Sequence, residues 1–249
     1  MLLYENSYSM MNIKNILAIA SAKGGVGKST IAANMAISLS EEYKVGLLDA
    51  DIYGPSQHLL FNLENSKPES FEINGQKKLK PIISQNIKIN SMGFMMLSDQ
   101  AVIWRGPMLS NALKQIIQVT DWEDLDFLIV DMPPGTGDSY LTVAKEIKPT
   151  AAILVTTSHI LSLSDTEKSK IALQKLGIPI LGYINNMTGE RCPKCNELLD
   201  TYTDRGNKFL KDIKCLGTIP RSIELQSLPN FKSARALKEI KENVTKLIL

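Results

Sequence analysis

Short apolar runs and longer stretches of helical periodicity alternate along almost the whole chain. Strand-length runs fall at 16–21, 45–49, 87–91, 127–131, 152–156, 180–185 and 215–219. Several are nearly continuous in apolar residues, as strands covered on both faces must be. Between them, apolar positions recur every three or four residues in 28–39, 108–119, 139–147, 165–176, 205–213 and 234–247. That order predicts an α/β fold, a mostly parallel central sheet flanked by helices on both faces. Residues 61–80 are polar and carry the turn signals Lys67-Pro68 and Asn74-Gly75, so an irregular segment is expected there. No internal repeat and no low-complexity tract interrupts the pattern.

Composition narrows the function classes. The chain has 249 residues, 44% of them hydrophobic and 22% charged, with 15 Gly and 11 Pro. Disordered, collagen-like and fibrous chains are excluded, and a single domain over 1–249 is expected, with 1–14 as an N-terminal extension. A formal charge of +2 requires no polyanionic partner, so nucleic acid is not expected. The apolar runs are far shorter than the roughly 18 residues of a membrane span, so no membrane partner is expected either. Three cysteines are too few and too odd for a disulfide framework, and point to thiols or metal ligands in a reducing, cytoplasmic compartment.

The strongest motif is Ser21-Ala22-Lys23-Gly24-Gly25-Val26-Gly27-Lys28-Ser29-Thr30, lying between the first predicted strand and the first predicted helix. Such a glycine-rich turn lets successive N–H groups and a helix N-terminus face phosphate oxygens, while Lys28 meets the β/γ charge and Ser29 ligates Mg²⁺. Gly24, Gly25, Val26, Gly27, Lys28, Ser29 and Thr30 are therefore the expected nucleotide cradle. The general P-loop pattern places Gly where Ala22 stands. Asp131 ends a buried run as a magnesium-holding aspartate would. The turn-rich segment 132–138 after it suits a switch that follows the γ-phosphate. Asp49 and Asp51, one residue apart, are expected to point to opposite sides, with Asp51 orienting the attacking water and Asp49 supporting the magnesium site from behind.

Cys192 and Cys195 form a C-x-x-C pair whose thiolates can reach one metal or one face of a cluster. Two ligands do not complete a four-coordinate site, and Cys215, His58 and His159 lie in separate segments. A symmetric dimer would supply Cys₄, suited to a bridging [4Fe-4S] cluster or to zinc, with a redox pair as the third reading. Cys215 is expected to be a small buried hydrophobe, Met92, Met95 and Met96 core fillers, and the amphipathic C-terminal stretch a packed helix.

Taken together, these residues resemble the Mrp/ApbC family of iron-sulfur cluster carrier ATPases, within the ParA/MinD class of deviant P-loop proteins. The resemblance rests on the loop above and on Asp49-Ala50-Asp51-Ile52-Tyr53-Gly54-Pro55-Ser56, Arg105-Gly106-Pro107-Met108, residues 126–138, Val155-Thr156-Thr157, residues 182–187 and Cys192-Pro193-Lys194-Cys195. It implies a homodimer with ATP and Mg²⁺ at the interface, slow hydrolysis, and transfer of a bridging [4Fe-4S] cluster to apo iron-sulfur proteins. It further implies that Lys23 reaches the partner subunit's nucleotide, joining Lys28 and Asp51 in catalysis, and that Asn186 contacts adenine. The chain departs from the family pattern at Ser158-His159, where Pro-Gln is usual, at Asn185, where Glu is common, and at Ser222, where an acid is common. A spatial-organising ATPase of the MinD or ParA kind and a zinc-bridged ATPase are the alternative expectations.

Overall fold

The structure, a computed structural model, describes residues 12–95, 106–192, 194–195, 197–199, 209–221 and 235–249. Met96, Arg105 and Ser222 lie outside the described residues, as does the first half of the helix expected at 205–213. In chain order the elements are β1 (Ile13–Ala20), α1 (Lys28–Ser40), β2 (Val45–Asp49), α2 (Gln57–Leu60), β3 (Glu69–Ile73), β4 (Gln76–Lys80), β5 (Ile82–Ser84) and β6 (Ile87–Ser91). They continue with α3 (Gly106–Val119), β7 (Leu125–Asp131), α4 (Asp138–Ile147), β8 (Ala151–Thr157), α5 (Ile160–Lys175), β9 (Ile180–Arg191), β10 (Leu198–Leu199), β11 (Cys215–Arg221) and α6 (Arg235–Ile248).

One nine-stranded sheet runs β10-β9-β8-β1-β7-β2-β6-β5, with β11 also on β9. Pairing is parallel except where β10 meets β9 and β5 meets β6. Alternation along β1 divides the core: Leu17 and Ile19 face the side covered by α1 and α6, and Ile16, Ala18 and Ala20 the side covered by α3, α4 and α5. Both faces are therefore buried, which is why the strands read as continuous apolar runs.

The amphipathic face of α6 is used inside the molecule. Leu237, Ile240 and Val244, one stripe at helical spacing, are buried against the α1 side of the core. Lys241, beside that stripe, is 2.7 Å from Glu42 beyond the end of α1. No described helix is long and apolar enough to cross a membrane.

Five sequence expectations need correction. Residues 61–80 are not irregular throughout: β3 and β4 form an antiparallel hairpin closed by Asn74 and Gly75, both at positive φ. That pair of left-handed residues matches the right-handed twist of a two-residue hairpin, so the turn signal marked a hairpin. Strand β1 begins at Ile13, inside the segment assigned to an extension, because Ile13 and Asn15 pair with β7. Helix α5 begins at Ile160, not 165, since His159 caps it by accepting a hydrogen bond from Leu161 N–H at 3.2 Å on Nδ1. Cys215 is exposed, not buried: β11 sits at the margin of the sheet, and its inward positions are Leu216 and Ile219. Of the methionines, Met92 is fully buried while Met95 is exposed.

Candidate functional site

The phosphate loop lies where β1 ends and α1 begins, at the carboxyl edge of the sheet, the usual ligand side of such folds. Gly25 and Gly27 take φ of 80° and 88°, conformations that glycine adopts without a steric penalty. At Gly27 there is a second constraint, because a Cβ would run into the amide of Asn186. Asn186 donates from Nδ2 to the carbonyl of Val26 at 2.8 Å. Lys23, Gly24 and Gly25 are exposed, Gly27, Ser29 and Thr30 half-buried, and Val26 and Lys28 buried. Ser21 Oγ donates to the Lys23 carbonyl, and Gly135 N–H donates to the Ser21 carbonyl at 3.0 Å, tying segment 132–137 to the loop.

Lys28 is the centre of a buried charge cluster. Its Nζ lies 2.5 Å from Asp131 Oδ1, 3.8 Å from Asp51 Oδ2 and 3.5 Å from Ser29 Oγ. Asp49 and Asp51 both belong to this cluster and do not face opposite ways. Residues two apart on a strand share a face, and the chain keeps that sense just past the end of β2. Asp49 is completely buried and accepts from Ser56 N–H (2.9 Å), Gln57 N–H (3.0 Å), Ser91 Oγ (2.8 Å) and Asp51 N–H (3.2 Å). It thereby anchors the loop that carries Asp51. Burial, then repulsion from Asp131, pushes Asp49 up to about 7, against the pull of Gln57 N–H, Ser91 and Lys28. Burial raises Asp51 as well, opposed chiefly by Lys28.

Sequence reasoning missed Gln57. It is fully buried, and its Nε2 donates to Asp131 Oδ2 at 2.8 Å and to the Ser29 carbonyl at 3.0 Å. Its Oε1 is buried without a hydrogen-bond partner. A single glutamine carries no signal in one sequence. The donor set here, the Ser29 hydroxyl, the Asp131 carboxylate and an unpartnered buried amide oxygen, is hard oxygen chemistry and fits a hydrated Mg²⁺.

The cysteine pair occupies the tip of a hairpin, not an open loop. Strand β9 runs past its pairing with β8 to Arg191, then folds back so that β10 pairs Leu198 with Arg191 and Leu199 with Glu190. Cys192 N–H donates to the Glu197 carbonyl at 2.9 Å, closing the hairpin. Hydrogen bonds from the backbone N–H groups of Cys195 and Lys194 lower the pKa of the Cys192 thiol. Such N–H donors prepare a thiolate for metal ligation. Cys192, Cys195 and Cys215 are free thiols. No group of three or more His, Cys, Asp or Glu suited to one metal occurs among the described residues.

Two of the departures from the family pattern meet in space. Ser158 and Asn185, both buried, exchange hydrogen bonds at 3.0 and 3.3 Å between the ends of β8 and β9. Beside them, Thr157, Ser158, His159, Met187, Glu190 and Arg221 line a cavity of about 400 Å³. It lies between the end of β8, the outer part of β9 and Arg221 of β11.

The family described as "ParA: NUBPL iron-transfer P-loop NTPase" matches residues 12–248. An iron-sulfur cluster carrier protein of Pseudomonas fragi is 41% identical over 222 residues, covering 87% of this chain and 76% of that protein. The iron-sulfur cluster carrier protein of Escherichia coli (strain K12) is 41% identical over 226 residues, covering 89% of this chain and 60% of that protein. The chain thus spans less than two thirds of the length of that second relative. A solved nucleotide-binding protein from Archaeoglobus fulgidus, in complex with ADP, superimposes with a TM-score of 0.74 at 29% identity, covering 94% of this chain and 90% of that one.

Proposed function

Because the chain belongs to the family of ParA-type, NUBPL-like iron-transfer P-loop NTPases, we propose that it binds and slowly hydrolyses ATP while carrying a [4Fe-4S] cluster between two copies of itself and delivering it to apo iron-sulfur proteins. The observation that carries this reading is the hairpin tip. It presents two thiols, one of them activated by backbone N–H groups, at a site too small in ligand number to close around a metal alone. Two such tips brought together supply the four thiolates of a cubane. The names of the relatives support the cargo, and the geometry around Lys28 supports the nucleotide.

At the nucleotide site, the loop N–H groups from Gly24 to Thr30 and the N-terminus of α1 would receive the phosphates. Lys28 leaves Asp131 for the β/γ oxygens, which frees the carboxylate. Ser29 would hold Mg²⁺ directly and Asp131 through water, where the metal adds neutralising charge on the phosphates. Asp51 then orients the attacking water, Lys23 serves the partner's nucleotide, and Asn186 would contact the adenine.

Anaerobic reconstitution with iron and sulfide tests the cargo. The expected product has a visible cluster absorption and about four irons per dimer. Cys192→Ala and Cys195→Ala should each lose the iron and keep ATP binding, and Cys215→Ala should keep both. Stoichiometric zinc without visible absorption, or four irons in an isolated monomer, would overturn the cluster reading.

A further inference from the structure

We propose that Gln57 is a positioning residue of the nucleotide site, holding Asp131 in the orientation that receives hydrated magnesium and tying that carboxylate to the loop that carries Asp51. The inference rests on the nucleotide reading above and adds a residue to it.

The argument begins with what a buried amide must satisfy. Gln57 has two N–H donors and one carbonyl acceptor, all removed from water. The donors are engaged by Asp131 Oδ2 and the Ser29 carbonyl, so one side chain bridges the end of β7 and the first turn of α1. These are the two segments that supply the oxygens suited to magnesium. The acceptor, Oε1, has no partner, a costly state for a buried polar atom and one that clusters at functional sites. Water held around a cation would supply the missing donor.

Asp131 has its other oxygen, Oδ1, on the ammonium of Lys28. When Lys28 turns to the phosphates, that oxygen is released while Oδ2 stays fastened by Gln57. The carboxylate is then left with one fixed oxygen and one free oxygen, which is what a rigid acceptor for metal-bound water requires. At the same time the Gln57 backbone N–H, together with that of Ser56, holds Asp49. Asp49 in turn accepts from Asp51 N–H, and Asp51 accepts from Gly54 N–H at 3.2 Å. Gln57 thereby ties the Asp131 carboxylate to both ends of segment 50–57. A residue that merely filled space here would need no amide, since leucine or methionine has similar volume.

The test compares wild-type protein with Gln57→Leu in ATP titrations at increasing Mg²⁺ and in EDTA. Loss of a hydrogen bond to a charged group is expected to raise the Mg²⁺ needed for half-maximal ATP binding by about ten- to a hundredfold. ATP affinity in EDTA should stay unchanged, because the phosphate loop and Lys28 are intact. An unaltered magnesium requirement would overturn the proposal, and so would an equal loss of affinity with and without magnesium, the mark of a purely structural role. Should Gln57→Leu fail to fold, Gln57→Met, unbranched and closer in length, carries the same comparison. Wild-type protein in which magnesium does not strengthen ATP binding would instead remove the nucleotide reading itself, and Gln57 with it.

Discussion

Replacing Lys28 with alanine should do more than remove a phosphate ligand. In the structure its ammonium touches Asp131 and Asp51, with Asp49 buried beside them. No other cation is paired with these three acids among the described residues. Removing one partner of a buried ion pair costs about 3–5 kcal/mol, because the charge left behind stays desolvated. Asp49 and Asp51 can escape by taking up a proton, and this sets the pH dependence. Lys28 is among the groups that lower both Asp49 and Asp51, so without it both rise further from values that burial has already raised. A carboxylate raised in the folded state holds its proton more tightly there than in the unfolded chain. Its contribution to stability is therefore largest below the unfolded value of about 4 and declines as pH climbs to the folded value. For Asp49 in the wild type that window ends at about 7, and in the variant it extends higher. Lys28→Ala should thus lose less stability at pH 5 than at pH 8, where the loss is about 3–5 kcal/mol. At about 2–4 °C per kcal/mol for a chain of this size, the gap in Tm should open to roughly 6–20 °C. Thermal unfolding of both proteins without nucleotide, from pH 5 to 8, reads this directly, alongside ATP hydrolysis, which should fall to background in the variant. Stability curves that run parallel across that range, or that coincide at pH 8, would refute the reasoning.

Two further outcomes follow from the geometry. Cys192 in metal-free protein should be alkylated by iodoacetamide with half-maximal rate at a lower pH than a free cysteine, because the Cys195 and Lys194 N–H groups favour its thiolate; the difference should vanish in urea, and a folded profile equal to the unfolded one would count against a prepared ligand. Gly27→Ala should destabilise the protein by about 1–3 kcal/mol through its left-handed backbone and weaken ATP binding by pushing aside Asn186. Denaturant titration would show part of that loss recovered in the double variant Gly27→Ala/Asn186→Ala, and strictly additive losses would mean the contact carries no energy.

The sheet was legible because its strands are buried on both faces and bounded by punctuating residues. Val45–Asp49 and Ile87–Ser91 were read to the residue, since each apolar run stops at a polar side chain that enters the charge cluster or its supports. The nucleotide side was legible through glycines, whose backbone role leaves a direct mark in sequence. What failed depended on long-range placement. Cys215 looked buried because its neighbours are apolar, yet whether a strand is marginal or central is decided by pairings far away in the chain. Asp49 and Asp51 were expected to point to opposite sides, whereas residues two apart share a face, and the fold uses both there, one to anchor the loop and one to face Lys28. Gln57 was invisible because its importance lies in bridging Asp131 and Ser29, contacts that no local pattern encodes. Ser158 and Asn185 were noted singly as departures, and only their hydrogen bond reveals them as one compensated pair.

Strand β9 joins the two chemistries. Asn186, on that strand, holds the carbonyl of Val26 in the phosphate loop, and Cys192 follows six positions later, just past Arg191. At about 3.3 Å per residue the separation along the strand is about 20 Å, too far for direct contact between nucleotide and thiols. Over this length β9 is paired first with β8 and β11, then with β10 and Arg221 of β11. Between the two sites Met187 adopts φ of 57°, a left-handed turn in the chain. The spacing between the amide of Asn186 and the Cys192 thiol is thus set by the backbone of residues 187–191.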